Sequence, residues 1–296
     1  PIVRINELQL RNFKNVEHGV VTMPAASNAV PFSEKAEPLG IYGQNGSGKT
    51  SVIEALHFLQ CLLQGKSLPD STREYISQNS ESCTLEIQFS ISEALQKETV
   101  LYHVELRKNE DSFVISQECL SVVPWSEDSR RTSSTLVDYH WNNEKIQFLP
   151  EYRWKKLVAK DKKKRNQLAV AQTLSIRERC SFIFGEEGFP LFSKCENGAM
   201  GEYAAVFSAL REYALTDLFV IQNTHSGPIS MNFVLPMAFY LNDGQYITTG
   251  DLPIRIDGPS KVTDRQLALA QSVISGLNIV LKTIIPGMEV DIHDFG

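Results

Sequence analysis

Gly43-Gln44-Asn45-Gly46-Ser47-Gly48-Lys49-Thr50 fits the pattern G-x-x-x-x-G-K-[ST] at every defined position. Glycines in that order let the backbone curl until successive N–H groups converge on one anion-binding concavity. Lys49 supplies a point charge for β/γ-phosphates, and the Thr50 hydroxyl is of the type that ligates Mg²⁺. The positive end of a following helix would add a fixed partial charge at the same place. The flanks suit this reading. Pro38-Leu39-Gly40-Ile41-Tyr42 is a short apolar run that predicts a buried strand. Thr50 to Leu63 predicts a helix apolar on most of its circumference, with Gly65 as its stop.

Two further strands are expected before the loop. Leu8 and Leu10 alternate with polar neighbours, and Gly19 to Met23 forms the second run. Metabolite kinases and small GTPases mostly place such a loop after the first strand. After the helix comes a polar stretch from Ser67 to Ser82. Leu85, Ile87, Phe89 and Ile91 then alternate, as do Val100, Tyr102, Val104 and Leu106, with Phe113, Ile115 and Leu120 on a next strand. That pattern predicts an antiparallel meander with one buried face.

Beyond it, Ser126 to Thr135 reads as a loop and Glu202 to Thr216 as an amphipathic helix. Asp217 to Ile221 reads as a strand, Thr263 to Ile284 as a last helix, and Met288, Val290 and Ile292 as a closing strand. Arg153, Lys155, Lys156, Lys160, Lys162, Lys163, Lys164 and Arg165 form a basic run. It reads first as a solvated helix face, with a DNA or partner contact as the alternative.

Composition sets bounds. The chain has 296 residues, 42% of them hydrophobic, and a net charge of −6, which argues against nucleic-acid binding over its whole surface. No apolar run approaches the roughly 18 residues of a membrane span, and the first residues lack a signal-peptide layout, so a cytoplasmic protein with no membrane partner is expected. Five scattered cysteines and six histidines show no metal spacing, and reduced, mostly buried thiols are expected.

Taken together, Asn12-Phe13-Lys14-Asn15, Gly43 to Ser51 and Val52-Ile53-Glu54-Ala55-Leu56 resemble the ABC-type ATPases of the RecF, SMC and OLD (overcoming lysogenization defect) group, also called AAA-family ATPases. The resemblance covers roughly residues 4 to 62 and, more loosely, the meander. It implies an α/β fold: a P-loop NTPase (ABC-type ATPase head) with an antiparallel β-meander lobe and a helical insertion. Residues 1–125 would be the first lobe, 126–260 the insertion, and 261–296 a helix and strand leading back to the core. By the same resemblance, Asn12, Phe13 and Lys14 lie near the nucleotide. Asn45, Gly46, Ser47, Gly48, Lys49, Thr50 and Ser51 wrap the phosphates of ATP, with Thr50 on Mg²⁺. Glu54 gets no catalytic role.

Members of that group hydrolyse ATP when two heads sandwich it. A serine-glycine signature and an Asp-Glu pair after an apolar run complete the site. Neither occurs in this stretch, since Ile274-Ser275-Gly276-Leu277 lies inside an expected helix. The catalytic C-terminal half is therefore expected to lie outside it, and no catalytic residue is assigned. Gln172 and Gln222 are the only guesses for the glutamine that senses the γ-phosphate. The resemblance further implies a homo-oligomer whose ATP-dependent dimerisation gates an effector protein, a nuclease or toxin, in anti-phage defence or DNA-linked work. One alternative is a binding module clamped by ATP with little hydrolysis. A lesser one is a small-metabolite kinase with Arg177 and Arg179 on a lid.

Overall fold

The computed structural model describes residues 2–24, 39–93, 96–110, 112–124, 133–142, 145–149, 162–195, 201, 203–218, 220, 238–240 and 246–248, with single positions from 271 to 282. The chain divides into two compact units, Pro1–Val220 and Ile221–Gly296.

The first unit is built on one seven-stranded sheet. Its strands are β1 (Ile2–Phe13), β2 (Val16–Thr22), β3 (Ser82–Glu93), β4 (Gln96–Asn109), β5 (Ser112–Pro124), β6 (Ser134–Asn142) and β7 (Lys145–Leu149). The order across the sheet is β2-β1-β3-β4-β5-β6-β7, and every neighbouring pair is antiparallel. Residues opposite one another share a face. Leu8, Ile87, Tyr102, Leu120 and Val137 thus form one buried row across five strands. The meander expected over β3 to β5 is present. The sheet then continues through two strands that the alternation did not reveal.

A register shift in β4–β5, between Glu105 and Leu106, explains an oddity of the pattern. Ile115 lies opposite Leu106 but Glu118 lies opposite Val104, so Ser116 is an extra residue. Such a bulge resets the alternation. Leu120 therefore reaches the buried face despite its even spacing from Glu118 rather than from Ile115, and the carboxylate of Glu118 is carried inside with it.

The helices are α1 (Lys49–Leu63), α2 (Lys162–Arg177), α3 (Phe189–Ser193) and α4 (Ala204–Thr216), with a 3₁₀ turn at Asp70–Tyr75. Helix α1 buries Val52, Ala55, Phe58, Leu59, Leu62 and Leu63, leaving Ile53 exposed and Leu56 half-buried. Its buried apolar surface is thus one broad face rather than most of the circumference. Gly65 ends it as expected: the Gly65 N–H donates to Leu62 O at 2.9 Å and the Lys66 N–H to Cys61 O at 3.0 Å. This pair of bonds closes a Schellman cap, with Gly65 at φ +69°. Helix α4 buries Val206, Phe207, Ala209, Leu210 and Ala214, confirming that amphipathic reading. Gln60 of α1 and its C-cap residue Gln64 tie this helix to α4 and the residues just after it: Gln60 donates to Leu218 O and Gln64 to Ala214 O, each at 2.6 Å.

Between sheet and helices lies an aromatic cluster that the sequence did not announce. Phe182 stacks on Tyr139 with centroids 4.7 Å apart, Phe184 meets Tyr102 edge-on at 5.7 Å, and Phe192 stacks on Phe207 at 5.3 Å. Glu118 anchors this segment. Fully buried, it accepts hydrogen bonds from the Tyr102 hydroxyl at 2.6 Å, the Ser181 hydroxyl, and the N–H groups of Phe182 at 2.7 Å and Ile183 at 3.3 Å. Burial pushes its carboxyl above the ordinary value, against the opposing pull of those hydrogen bonds.

Two expected strands are corrected. Leu39 to Tyr42 forms no strand and is exposed, Tyr42 at 94%. The apolar run expressed a preference for burial, but no strand among the described residues pairs with it, and a strand needs a partner for its backbone groups. Leu218 and Val220 are likewise not in a strand; Leu218 is buried as the chain leaves α4.

In the second unit, β8 (Ala238–Tyr240) pairs antiparallel with β9 (Tyr246–Thr248). Gln271, Ser275, Asn278, Ile279 and Lys282 are helical, as the reading of Thr263 to Ile284 expects. The rest of that helix, the closing strand at Met288 to Ile292, Gln222 and most of the loop from Ser126 lie outside the described residues. Among the described residues no helix is long and apolar enough to cross a membrane.

Candidate functional site

The phosphate-loop residues lead straight into α1. Gly46 and Gly48 have φ values of +83° and +86°, a left-handed region open to glycine at little cost. Gly48 is the helix N-cap, where a Cβ would lie 2.5 Å from Val16 Cγ2. No side chain caps the first N–H groups of α1, and no acidic residue stands in its first turn. Lys49, Thr50 and Ser51 occupy that turn instead. A helix start with uncapped donors, a cation and two hydroxyls is a setting that favours an anion. The Lys49 ammonium donates to Gly43 O at 2.7 Å, Gln44 O at 2.5 Å and Ser47 Oγ at 3.4 Å. Thr50 is exposed and Ser51 buried.

The tip of the β1–β2 hairpin leans on this loop. Lys14 and Asn15 connect Phe13 to its partner Val16. Asn12 and Lys14 both have left-handed φ, +50° and +52°. For lysine that conformation costs on the order of 1–2 kcal/mol. It is held by the neighbouring 3₁₀ turn: the Lys14 N–H donates to Tyr75 O at 2.7 Å, and the Ser77 N–H donates to Asn12 O at 2.9 Å. Phe13, buried to 0% exposure, stacks on Tyr75 at 4.9 Å, and Phe58 of α1 meets the same ring edge-on at 5.8 Å.

From that braced tip, the Lys14 ammonium pairs with Glu54 on α1. Asn15 uses both ends of its amide. Its Nδ2 donates to Gly46 O, and its Oδ1 accepts from Ser51 Oγ at 3.0 Å. An open groove of about 370 Å³ runs beside it, lined by Asn15, Val16, Glu17, His18, Gly46 and Ser47.

The structure thus brings Lys14 and the loop residues Asn45 to Ser51 into one neighbourhood. Phe13 stands apart: its ring faces the core, where it holds the tip in place. Asn15, Val16 and Tyr75 were missed by sequence reasoning. Asn15 had a signal, its place beside the quoted Asn12-Phe13-Lys14, but nothing local shows that its amide reaches residues some thirty positions away. Arg179 is engaged away from the loop, ion-paired with Asp70, donating to Ser112 Oγ at 2.9 Å and lying over the Phe113 ring. Arg177 pairs with its neighbour Glu178. Neither arrangement suits a lid. Gln172 lies half-buried on α2. Of the basic run, Lys162, Lys163, Lys164 and Arg165 lie on α2, whereas Arg153, Lys155, Lys156 and Lys160 fall outside the described residues.

Known proteins resemble parts of this chain. The DNA replication and repair protein RecF of Acinetobacter baylyi is 32% identical over 139 residues, which cover 47% of this chain and 34% of that protein. The RecF protein of Chlorobaculum parvum is 28% identical over 107 residues, covering 36% of this chain and 26% of that protein. The chain thus spans about a third or less of the length of these relatives. The AAA domain family matches residues 7–197, from the middle of β1 through α3. That span holds the hairpin tip, the phosphate loop and the sheet behind them, and the chain belongs to the AAA domain family.

Proposed function

We propose that this chain is an ATPase head that binds Mg·ATP at its phosphate loop and uses it to couple to a DNA-linked partner activity. The observation that carries the reading is the start of α1, with two left-handed glycines, no side-chain cap, no acid, and Lys49 and Thr50 at its mouth. The donor set fits a magnesium polyphosphate. Asn45 to Ser51 would surround the phosphates, Lys49 would neutralise their charge, and the Thr50 hydroxyl would ligate Mg²⁺. Lys14 and Asn12 stand at the neighbouring hairpin tip, where they would flank the nucleotide. Choice of ATP over GTP rests on the family, because such loops do not read the base.

The relatives' name supports the DNA link, and the cations of α2 with the preceding basic run offer a contact for phosphates. By the OLD-like resemblance, ATP-dependent pairing of two heads would gate an effector nuclease or toxin in anti-phage defence, in the cytoplasm. The division at 125 and 260 would then separate the head's first lobe from an insertion. The absence of an Asp-Glu pair after an apolar run in these residues favours a second reading, an ATP-clamped module with slow turnover.

Mg·ATP binding and phosphate release by the 296-residue chain, with Lys49→Ala as control, test this. Binding abolished by Lys49→Ala is expected. Binding that survives the substitution refutes the site. Turnover above the control selects the ATPase reading, and binding without turnover selects the clamp. DNA affinity that does not fall as salt rises removes the DNA role.

A further inference from the structure

We propose that Asn15 is a positioning residue for the phosphate loop, setting the direction in which the Gly46–Ser47 peptide faces. The inference rests on reading Gly43 to Ser51 as a polyphosphate site. A peptide's carbonyl and its following N–H point to opposite sides of the plane that holds them. Fixing the Gly46 carbonyl toward the hairpin therefore aims the Ser47 N–H the other way, into the loop, where it donates to Gln44 O at 3.2 Å.

Asn15 provides that fixture: its Nδ2 donates to Gly46 O while its Oδ1 takes the Ser51 hydroxyl from the first turn of α1. One amide thus ties the middle of the loop to the start of the helix. Glycine makes the tie useful. Gly46, at φ +83°, has no side chain to restrict its backbone, and the Asn15 bond holds one side of the Gly46–Ser47 peptide while Gln44 O holds the other. Asn15 itself is held by a tip that does not move freely. Lys14 is kept in a left-handed conformation by Tyr75 O, and Phe13 is sunk in the core. Strain that the surroundings hold in place beside a site is a sign of preorganisation.

The test compares wild type, Asn15→Ala, Asn15→Asp and Lys49→Ala. The readouts are calorimetric affinity for Mg·ATP and for inorganic triphosphate with Mg²⁺, and the melting temperature without either. Asn15→Ala should weaken both ligands by a similar factor, on the order of tenfold for two lost hydrogen bonds, with little change in melting temperature. Asn15→Asp should be worse, because its carboxylate would face the Gly46 carbonyl and repel the phosphates. Three results overturn the proposal: unchanged triphosphate affinity in both Asn15 variants, a loss confined to ATP, which would make Asn15 a nucleoside contact, or a loss matched by a collapse in melting temperature. Wild-type chain that binds neither ligand would refute the underlying site and this role together, whereas binding abolished by Lys49→Ala and unchanged in both Asn15 variants would refute the role alone.

Discussion

Replacing Glu118 should separate a buried hydrogen-bond acceptor from a buried charge. Glu118→Ala removes the acceptor for four donors: the hydroxyls of Tyr102 and Ser181 and the N–H groups of Phe182 and Ile183. The hydroxyls of Ser181 and Tyr102 can turn toward each other, but the two backbone amides are fixed. At about 1–3 kcal/mol for each stranded amide, together with the cavity left by the lost side chain, the loss is about 3 kcal/mol or more. Glu118→Gln should cost far less. Its carbonyl can face the two fixed amides, and its NH₂ can face the hydroxyls, which rotate to accept. We expect about 1–2 kcal/mol for that change. Urea unfolding followed by tryptophan fluorescence gives both values. With m near 3 kcal/mol/M, Glu118→Ala should lower the midpoint by about 1 M or more and Glu118→Gln by roughly 0.3–0.7 M. Equal losses in the two variants, or a Glu118→Ala midpoint within error of wild type, would refute the assignment of this carboxyl as the anchor of the aromatic segment.

The same pair of proteins reports on pH. Burial raises the Glu118 carboxyl above its ordinary value of 4.5, so the folded chain holds this proton more tightly than the unfolded one. Its contribution is complete below about 4.5 and is lost as pH rises through the folded value. The stability advantage of wild type over Glu118→Gln should therefore shrink as pH climbs from 4.5, and an advantage that grows would contradict the shift. Gly65→Ala would place a Cβ 2.1 Å from Phe184 O at φ +69°. It should cost more than about 2 kcal/mol and lower the melting temperature by roughly 5 °C or more, measured by thermal unfolding. Phe13→Ala should cost about 3–5 kcal/mol and also weaken Mg·ATP binding, since the ring seats the hairpin tip. Unchanged affinity in a folded Phe13→Ala chain would separate the tip from the site.

What the sequence made legible was local. The glycine stop at Gly65, the span of α1 and the alternation of β1 to β5 need only neighbouring residues to specify them. The exposed Leu39 to Tyr42 misled because an apolar run records a preference for burial without naming the partner that provides it. The aromatic stretch from Phe182 to Phe192 and the buried Glu118 were invisible for the opposite reason. Their burial depends on contacts 60 or more positions away, and in β5 an inserted Ser116 shifted the alternation that might have pointed inward. At the site, the loop was readable from its spacing alone. Asn15 was not, because a side chain that reaches across a hairpin to a glycine carbonyl leaves no periodic trace.

The position of β1 between β2 and β3 carries a consequence for how the chain acquires its site. Strands β3, β4 and β5 are consecutive neighbours and can zip together in sequence order. Pairing Leu8 with Ile87 instead means closing a loop of roughly 80 residues that contains the phosphate loop and all of α1. Long closures come late, because their entropy must be met before their contacts form. The meander is thus expected to assemble first and β1 to dock onto it afterwards, carrying the Asn12–Val16 tip with it. Until that docking, Gly46 and Ser51 have no Asn15 to meet, so this tie to the phosphate loop is expected to form only after the meander has assembled.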